Sequence, residues 1–230
     1  MIKIENVDVF GWEAAIRGMR NPMNSHYMSD SDYGCIYNKK SYFCNKGCSL
    51  CECLVNQPGK PYYVVGPNDF ALMKKLVKAG TDHSKFMRMI NVTFDITAPL
   101  YWWKEFDTYK VGTVRNSCST MHKVTSKEFT LDDFSHEQLT DSAIERWLEP
   151  TIEGLNIARQ MYIEKDGKSK AAWWQIIQLL PSSYNQRATI QLNYAVLRNI
   201  YHSRKNHKLD EWIDFCKWIE TLPYSELITE

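Results

Sequence analysis

The 230-residue sequence predicts an α+β fold, since a few strand-forming segments are set among amphipathic helices. Residues 2–10 (IKIENVDVF) and 88–97 (RMINVTFDIT) are rich in β-branched side chains, and the second alternates in the manner of a strand. The strand–helix repeat of a parallel barrel is absent. The length suits one domain, so we predict a single domain over residues 1–230 with an irregular, Cys-rich insertion at residues 21–66.

Helices are predicted in order along the chain. Residues 12–19 follow the first strand, and residues 66–80 form a helix with Asn68 or Asp69 as N-cap and Gly80 as the stop. Its apolar stripe consists of Phe70, Leu72, Met73, Leu76 and Val77. A hairpin is expected near residues 61–65 (PYYVV).

A second set of helices occupies the rest of the chain. Residues 97–112 (TAPLYWWKEFDTYKVG) are expected to be helical, with Thr97 as N-cap, Pro99 in the first turn and Gly112 at the end. One or two helices lie around Pro150, another ends before Pro181, and the last covers residues 209–222.

Bulk properties exclude several protein classes. The net charge of +1 does not indicate a nonspecific nucleic-acid binder. No secretory signal or membrane-spanning stretch is predicted, so a cytoplasmic location is expected. The eight Trp and thirteen Tyr residues either build core or line a flat cavity.

Five of the seven cysteines lie within residues 35–53. Such a cluster indicates metal or redox chemistry, or a reduced Cys-rich insertion. CNKGCSLC has the CxxxCxxC spacing of radical-SAM iron–sulfur sites, and a zinc ion could use the four cysteines of the 44–53 segment. These metal candidates are Cys44, Cys48, Cys51 and Cys53.

Residues 183–207 carry Val196, Leu197 and Ile200 at helical spacing. At about 100° per residue, Asn193 and Arg204 extend the same apolar stripe at its two ends. A buried arginine requires an anionic partner. Two partners remain open, an internal carboxylate and the phosphate or pyrimidine oxygen of a ligand.

The order of these elements resembles the flavin-dependent thymidylate synthases, the ThyX family. The similar parts are TDHSKF, VTFDITAP, the polar segment after the aromatic helix, LPSSYNQRATIQLNYAVLRNIYHSR and DEWI, at residues 67–123 and 172–215. The resemblance implies a ThyX-like mixed or antiparallel sheet flanked by helices. The family's Arg-His-Arg is replaced here by Thr108, Tyr109 and Lys110.

The resemblance also implies site residues. It assigns FAD contacts to His83, Ser84, Thr108, Tyr109, Lys110, Asn193 and Asn199. It assigns nucleotide contacts to Lys110, Arg115, Ser117, Cys118, Ser119 and Arg204. Arg204 would also be catalytic, polarising a pyrimidine carbonyl. Cys118 is either a thiol contact with substrate or a small buried cysteine.

Three functions remain open at this stage. The first is transfer of a one-carbon unit from methylene-tetrahydrofolate to a pyrimidine nucleotide such as dUMP, with FAD, NADPH as reductant, and a homotetramer whose sites are shared between subunits. The second keeps the fold as a nucleotide- or flavin-binding protein without synthase chemistry, or with another substrate. The third is a metal or iron–sulfur protein built on the cysteine cluster.

Overall fold

The structure, a computed structural model, describes residues 2–33 and 63–230. Contacts divide the chain into two units. The first unit contains residues 1–8, 93–191 and 203–218, and the second contains residues 9–92, 192–202 and 219–230. The predicted α+β class, with an antiparallel strand pair and flanking helices, is confirmed. The cysteine cluster of residues 35–53 lies outside the described residues.

The described residues form one four-stranded sheet and one two-stranded sheet. The strands of the larger sheet are β1 (Lys3–Phe10), β4 (Asn91–Pro99), β5 (Val114–Ser117) and β6 (Asn185–Asn193). Their order in the sheet is β1–β4–β6–β5, and most of the sheet belongs to the first unit. The smaller sheet pairs β2 (Asp32–Tyr33) with β3 (Tyr63–Val64) in antiparallel fashion. Residues 61 and 62 of the predicted hairpin lie outside the described residues.

Helices make up most of the remaining described chain. They are α1 (Trp12–Arg20), α2 (Pro67–Lys78), α3 (Leu100–Phe106), α4 (Thr120–Lys123), α5 (Ser142–Glu145), α6 (Leu148–Ile163), α7 (Lys170–Leu179), α8 (Tyr194–Arg204), α9 (Asp210–Glu220) and α10 (Glu226–Thr229). Pro150 therefore lies in the first turn of α6, where its missing N–H costs nothing. No helix of the described ranges is both long and apolar enough to cross a membrane.

In the first unit, aromatic side chains pack α3 and α9 onto the sheet. Alternate residues of β4 and β6 are buried. Phe94 of β4 meets Phe215 and Trp218 of α9, with ring centroids 6.0 and 4.7 Å away. The ring centroid of Trp102 in α3 lies 4.7 Å from that of Trp212. These rings therefore build core, which was one of the two uses that the composition allowed.

On the other face of the sheet, the carboxylate of Asp95 connects neighbouring strands. Asp95 of β4 accepts hydrogen bonds from Thr189 and Arg187 of β6, at 2.6 and 2.8 Å, and from Asn6 of β1 at 2.8 Å. The hydrogen bond from Thr189, with those from Asn6 and Arg187, lowers the pKa of Asp95 to about 2. The charged carboxylate thus links three strands by side-chain contacts.

A second core in the first unit lies under α6 and α7. Its buried members are Val124, Phe129, Phe134, Leu155, Ala158 and Ile176. Asn156 of α6 donates to the Phe129 carbonyl and accepts from the Phe129 amide, at 2.9 and 2.8 Å. The loop before the helices is therefore attached to α6 by both backbone groups of one residue.

In the second unit, the cap of α2 differs from the prediction. Neither Asn68 nor Asp69 caps the helix; their amides instead donate to the carboxylate of Asp30, at 2.9 and 3.0 Å. Asp69 cannot serve as a cap because its side chain is buried against Arg20. Gly80, with a φ of +106°, follows the end of the helix as predicted.

Helix α3 is shorter than predicted. Thr97 and Pro99 belong to β4, and the helix ends at Phe106 rather than near Gly112. The amides of Leu100 and Tyr101 donate to the carbonyls of residues 184 and 182, both at 3.0 Å. The first turn therefore needs no side-chain cap, because a distant loop accepts its free N–H groups.

Asn193 does not lie on the helical stripe that the sequence suggested. Residues 185–193 form β6, and Asn193 is the last residue of that strand. Its Oδ1 accepts from the amide of Val196 at 3.1 Å, so the side chain caps α8. Arg204 is the last residue of α8, in agreement with the helical prediction.

Candidate functional site

Five side chains in the first unit form what we call the Arg204 cluster: Glu105, Tyr109, Arg204, His207 and Trp212. Glu105 is on α3, and Tyr109 follows the end of that helix by three residues. Arg204 ends α8, His207 lies in the next turn, and Trp212 is on α9. Because α3 turns Trp102, Trp103 and Phe106 into the core, Glu105 is left half-buried at its edge.

The arginine of this cluster is held by polar and aromatic contacts. Nη1 of Arg204 lies 2.5 Å from Oε2 of Glu105, and Nε donates to the Tyr109 hydroxyl at 2.8 Å. The guanidinium carbon lies 4.8 Å from the Trp212 ring centroid, within range of a cation–π interaction. Of the two partners left open by the sequence, the structure shows the internal carboxylate.

Arg115, on the edge strand β5, is held in a similar way. Nη1 donates to both carboxylate oxygens of Asp107, at 2.7 and 2.8 Å, and Nη2 donates to Oε1 of Gln186 at 2.5 Å. Its guanidinium lies 3.9 Å from the centroid of the Trp103 ring. A ligand phosphate would therefore compete with Asp107 for this arginine.

The other predicted nucleotide contacts differ in availability. Lys110, Ser117 and Cys118 are exposed, and Lys110 makes no ion pair within the described ranges. The Cys118 thiol is free and exposed, so its interpretation as a small buried cysteine is wrong. Ser119 caps α4 through an acceptor bond from the His122 amide at 3.3 Å.

The predicted FAD contacts fall in both units. Thr108, Tyr109 and Lys110 belong to the first unit, and Thr108 donates its hydroxyl to the Glu105 carbonyl at 2.7 Å. The second unit contains His83, Ser84, Asn193 and Asn199. Ser84 donates to the Gly80 carbonyl at 3.1 Å, and Asn193 caps α8.

The remaining donors suit a flavin nucleotide chemically. His83, Lys110 and Asn199 are exposed, and their side chains make no hydrogen bond with any described residue. An imidazole, an ammonium and a carboxamide can bind the pyrophosphate and carbonyl oxygens that FAD carries. The donor types therefore fit the cofactor, whereas Ser84, Thr108 and Asn193 are already used in local structure.

A cleft of about 420 Å³ in the first unit begins where the predicted nucleotide segment ends. It is lined by Met121, His122, Tyr162, Gly167, Lys168, Lys170 and Trp173. The Trp173 indole donates to the Met121 carbonyl at 3.2 Å, which orients its ring. The lining thus combines two ammonium groups, of Lys168 and Lys170, with the aromatic rings of Tyr162 and Trp173.

Sequence reasoning missed Glu105 and His207 and treated Trp212 only as part of DEWI. A carboxylate next to the buried rings of an aromatic-rich helix was the available signal for Glu105, because a charged group at the edge of a core requires a partner. Nothing local marked His207. Metal binding is not indicated in residues 2–33 and 63–230, where no group of three or more His, Cys, Asp or Glu side chains could hold an ion.

Comparison with known proteins identifies the fold. No protein-family model and no curated protein matches the sequence. Two crystal structures of flavin-dependent thymidylate synthase ThyX from Helicobacter pylori, both with FAD and dUMP, match the structure with a TM-score of 0.62 and 16% sequence identity. The matches cover 98% and 99% of this chain and 97% and 96% of the solved chains. The chain therefore has a ThyX-like fold along almost its whole length.

Proposed function

We propose that this chain is a flavin-dependent enzyme of the thymidylate-synthase type, which transfers a one-carbon unit to a pyrimidine nucleotide such as dUMP. The observation that carries the proposal is the contact between Tyr109 and Arg204. These residues are 95 positions apart, and the resemblance assigned one to the cofactor and the other to the substrate. Their hydrogen bond supports a shared ligand site at the end of α3.

In this proposal the residues have distinct tasks. Arg204 donates to a carbonyl oxygen of the pyrimidine, which makes the ring more electrophilic. Lys110 binds the nucleotide phosphate, with Arg115, Ser117, Cys118 and Ser119 along the same segment. When bound in its reduced form, FAD would supply the hydride and NADPH would reduce the flavin again, while methylene-tetrahydrofolate would supply the carbon.

The cofactor contacts and the assembly are proposed from the resemblance to the ThyX family. In the first unit, Lys110 offers an exposed donor to FAD, and Tyr109 lies beside the substrate arginine. His83 and Asn199, in the second unit, are proposed as FAD contacts from the resemblance alone. The assembly proposed for this function is a cytoplasmic homotetramer. The contact between Tyr109 and Arg204 needs no second subunit, because both side chains come from one chain.

A second candidate is a nucleotide- or flavin-binding protein of this fold without synthase chemistry. The observation that favours it is the ion pair between Glu105 and Arg204, because it occupies the proposed catalytic arginine. The two candidates differ in turnover. The first forms dTMP from dUMP when methylene-tetrahydrofolate, FAD and NADPH are supplied, and the second binds ligand but forms no product.

We expect FAD and dUMP to raise the melting temperature of the purified protein. At about 100 times the Kd, a ligand adds about 2.7 kcal/mol to the free energy of unfolding, which corresponds to roughly 5–10 °C for a chain of this size. Thermal denaturation with FAD, dUMP, or dAMP as a purine control measures the effect. If neither FAD nor dUMP shifts the transition at millimolar concentration, the first candidate is wrong.

We expect Arg204→Ala to abolish dUMP binding while the protein stays folded. The ion pair is partly exposed, so its loss should cost about 1 kcal/mol and lower the melting temperature by about 2–4 °C. A dUMP titration and a melting curve measure the two effects. Arg88→Ala, which removes an exposed arginine, is the matched control. An Arg204→Ala protein that binds dUMP normally would contradict the assigned role.

A further inference from the structure

Two donors converge on one carboxylate oxygen in the Arg204 cluster, and an imidazole nitrogen lies close to it. Oε2 of Glu105 lies 2.5 Å from Nη1 of Arg204, 3.1 Å from Nε1 of Trp212 and 3.3 Å from Nε2 of His207. The donors are a guanidinium and an indole, and both groups bind anions. Glu105 therefore occupies an anion-binding position that its own chain has built.

The ion pair leaves one end of the guanidinium available. Nη2 of Arg204 makes no hydrogen bond with any described residue, and 18% of the side chain is exposed. A neutral carbonyl oxygen can accept from Nη2 while Glu105 remains in place. A phosphate at the same position would lie beside the Glu105 carboxylate, and like charges at short range repel strongly in a partly desolvated site.

We propose that Glu105 is a specificity-determining residue: it neutralises Arg204 so that this arginine accepts the neutral carbonyl oxygen of a ligand ring and rejects phosphate. The identity of the ring as a pyrimidine rests on the proposed function, whereas the selection by charge does not. The nucleotide phosphate must then bind away from Arg204. Lys110 has no carboxylate partner among the described residues and is available for it.

The test compares inorganic phosphate with neutral deoxyuridine as probes. We expect E105Q to bind phosphate about tenfold more tightly than the wild type and to bind deoxyuridine within about twofold of it, because glutamine keeps the shape and an acceptor oxygen but removes the charge. The double variant E105Q/R204Q should lose the gain. D132N removes an exposed negative charge elsewhere and should change neither affinity. NMR titrations measure both dissociation constants.

Three outcomes overturn the proposal. The first is an E105Q protein that binds phosphate no better than the wild type. The second is a gain in phosphate affinity that persists in E105Q/R204Q. The third is an equal gain in deoxyuridine affinity, which would mean that Glu105 competes with any ligand. E105A provides a second neutral side chain if E105Q does not fold. The phosphate titration requires neither FAD nor dUMP. A protein that binds neither ligand but shows the phosphate gain would refute the proposed function while retaining the charge selection.

Discussion

Asp69→Asn is expected to lower the free energy of unfolding by about 3–5 kcal/mol, because it leaves Arg20 charged and buried without an anion. Asp69 is fully buried and Arg20 is 4% exposed. Oδ1 of Asp69 accepts from Nε of Arg20 at 2.6 Å and lies 2.5 Å from Nη2 of the same guanidinium in an ion pair. Oδ2 accepts from the hydroxyls of Ser29 and Ser31, both at 2.6 Å.

These contacts explain why the effect should be large. Arg20 also donates to the carbonyls of Ser25 and Met28, both at 3.1 Å, so one ion pair connects the end of α1, residues 25–31 and α2. The melting temperature should fall by roughly 6–20 °C. Circular dichroism melting curves measure it, with Asp214→Asn as control. That variant breaks an exposed pair with Lys217 and should cost less than about 1 kcal/mol.

The same ion pair predicts a pH dependence. Burial by itself would raise the pKa of Asp69, but hydrogen bonds from Ser29, Ser31 and Arg20 lower it below its ordinary value. The group therefore contributes stability above its unfolded pKa of about 3.9, and this stability is lost as the pH falls through the folded value. The difference between wild type and Asp69→Asn should be constant above about pH 5 and shrink below about pH 4. A difference that grows on acidification would contradict this assignment.

Trp102→Ala is expected to cost about 3–5 kcal/mol, the range for removing a large aromatic side chain from a core. Trp102 is fully buried. Its ring stacks on Phe106 at 4.9 Å and contacts Trp212 at 4.7 Å and Phe215 at 5.6 Å. The alanine variant leaves a cavity that these rings cannot fill. Urea unfolding measures the loss.

Two comparisons make this prediction specific. Trp147 is 64% exposed, so Trp147→Ala should cost less than about 0.5 kcal/mol. Trp102→Phe should be milder than Trp103→Phe, because Nε1 of Trp103 donates to the carbonyls of Ala98 and Gln186, at 2.9 and 3.1 Å. Nε1 of Trp102 has no partner among the described residues. Equal costs for the two phenylalanine variants would contradict the role of these hydrogen bonds.

Helix and strand positions followed from local patterns where burial and periodicity agree. The alternation in residues 88–97 corresponds to β4, and the apolar spacing in residues 209–222 corresponds to α9. Helix boundaries were less predictable. The carboxylate of Asp30 accepts hydrogen bonds from the first amides of α2, and the carbonyls of residues 182 and 184 accept from those of α3. The groups that fix where these helices begin therefore lie 38 to 84 positions away in sequence. The helical spacing of residues 196–201 predicts a helix that includes Asn193, but this spacing does not show where the preceding strand ends.

The site residues also divide into features that the sequence predicts and features that only the fold decides. The sequence by itself determined the α+β class, the elements along the chain, and the presence of Arg204 and the polar segment of residues 108–119, because these depend on residue type and spacing. Only the tertiary structure decided that Glu105 neutralises Arg204, that Asp107 holds Arg115, and that the Cys118 thiol is exposed. The physical reason is that an ion pair depends on the distance between two charges, and folding sets that distance between residues 99 positions apart.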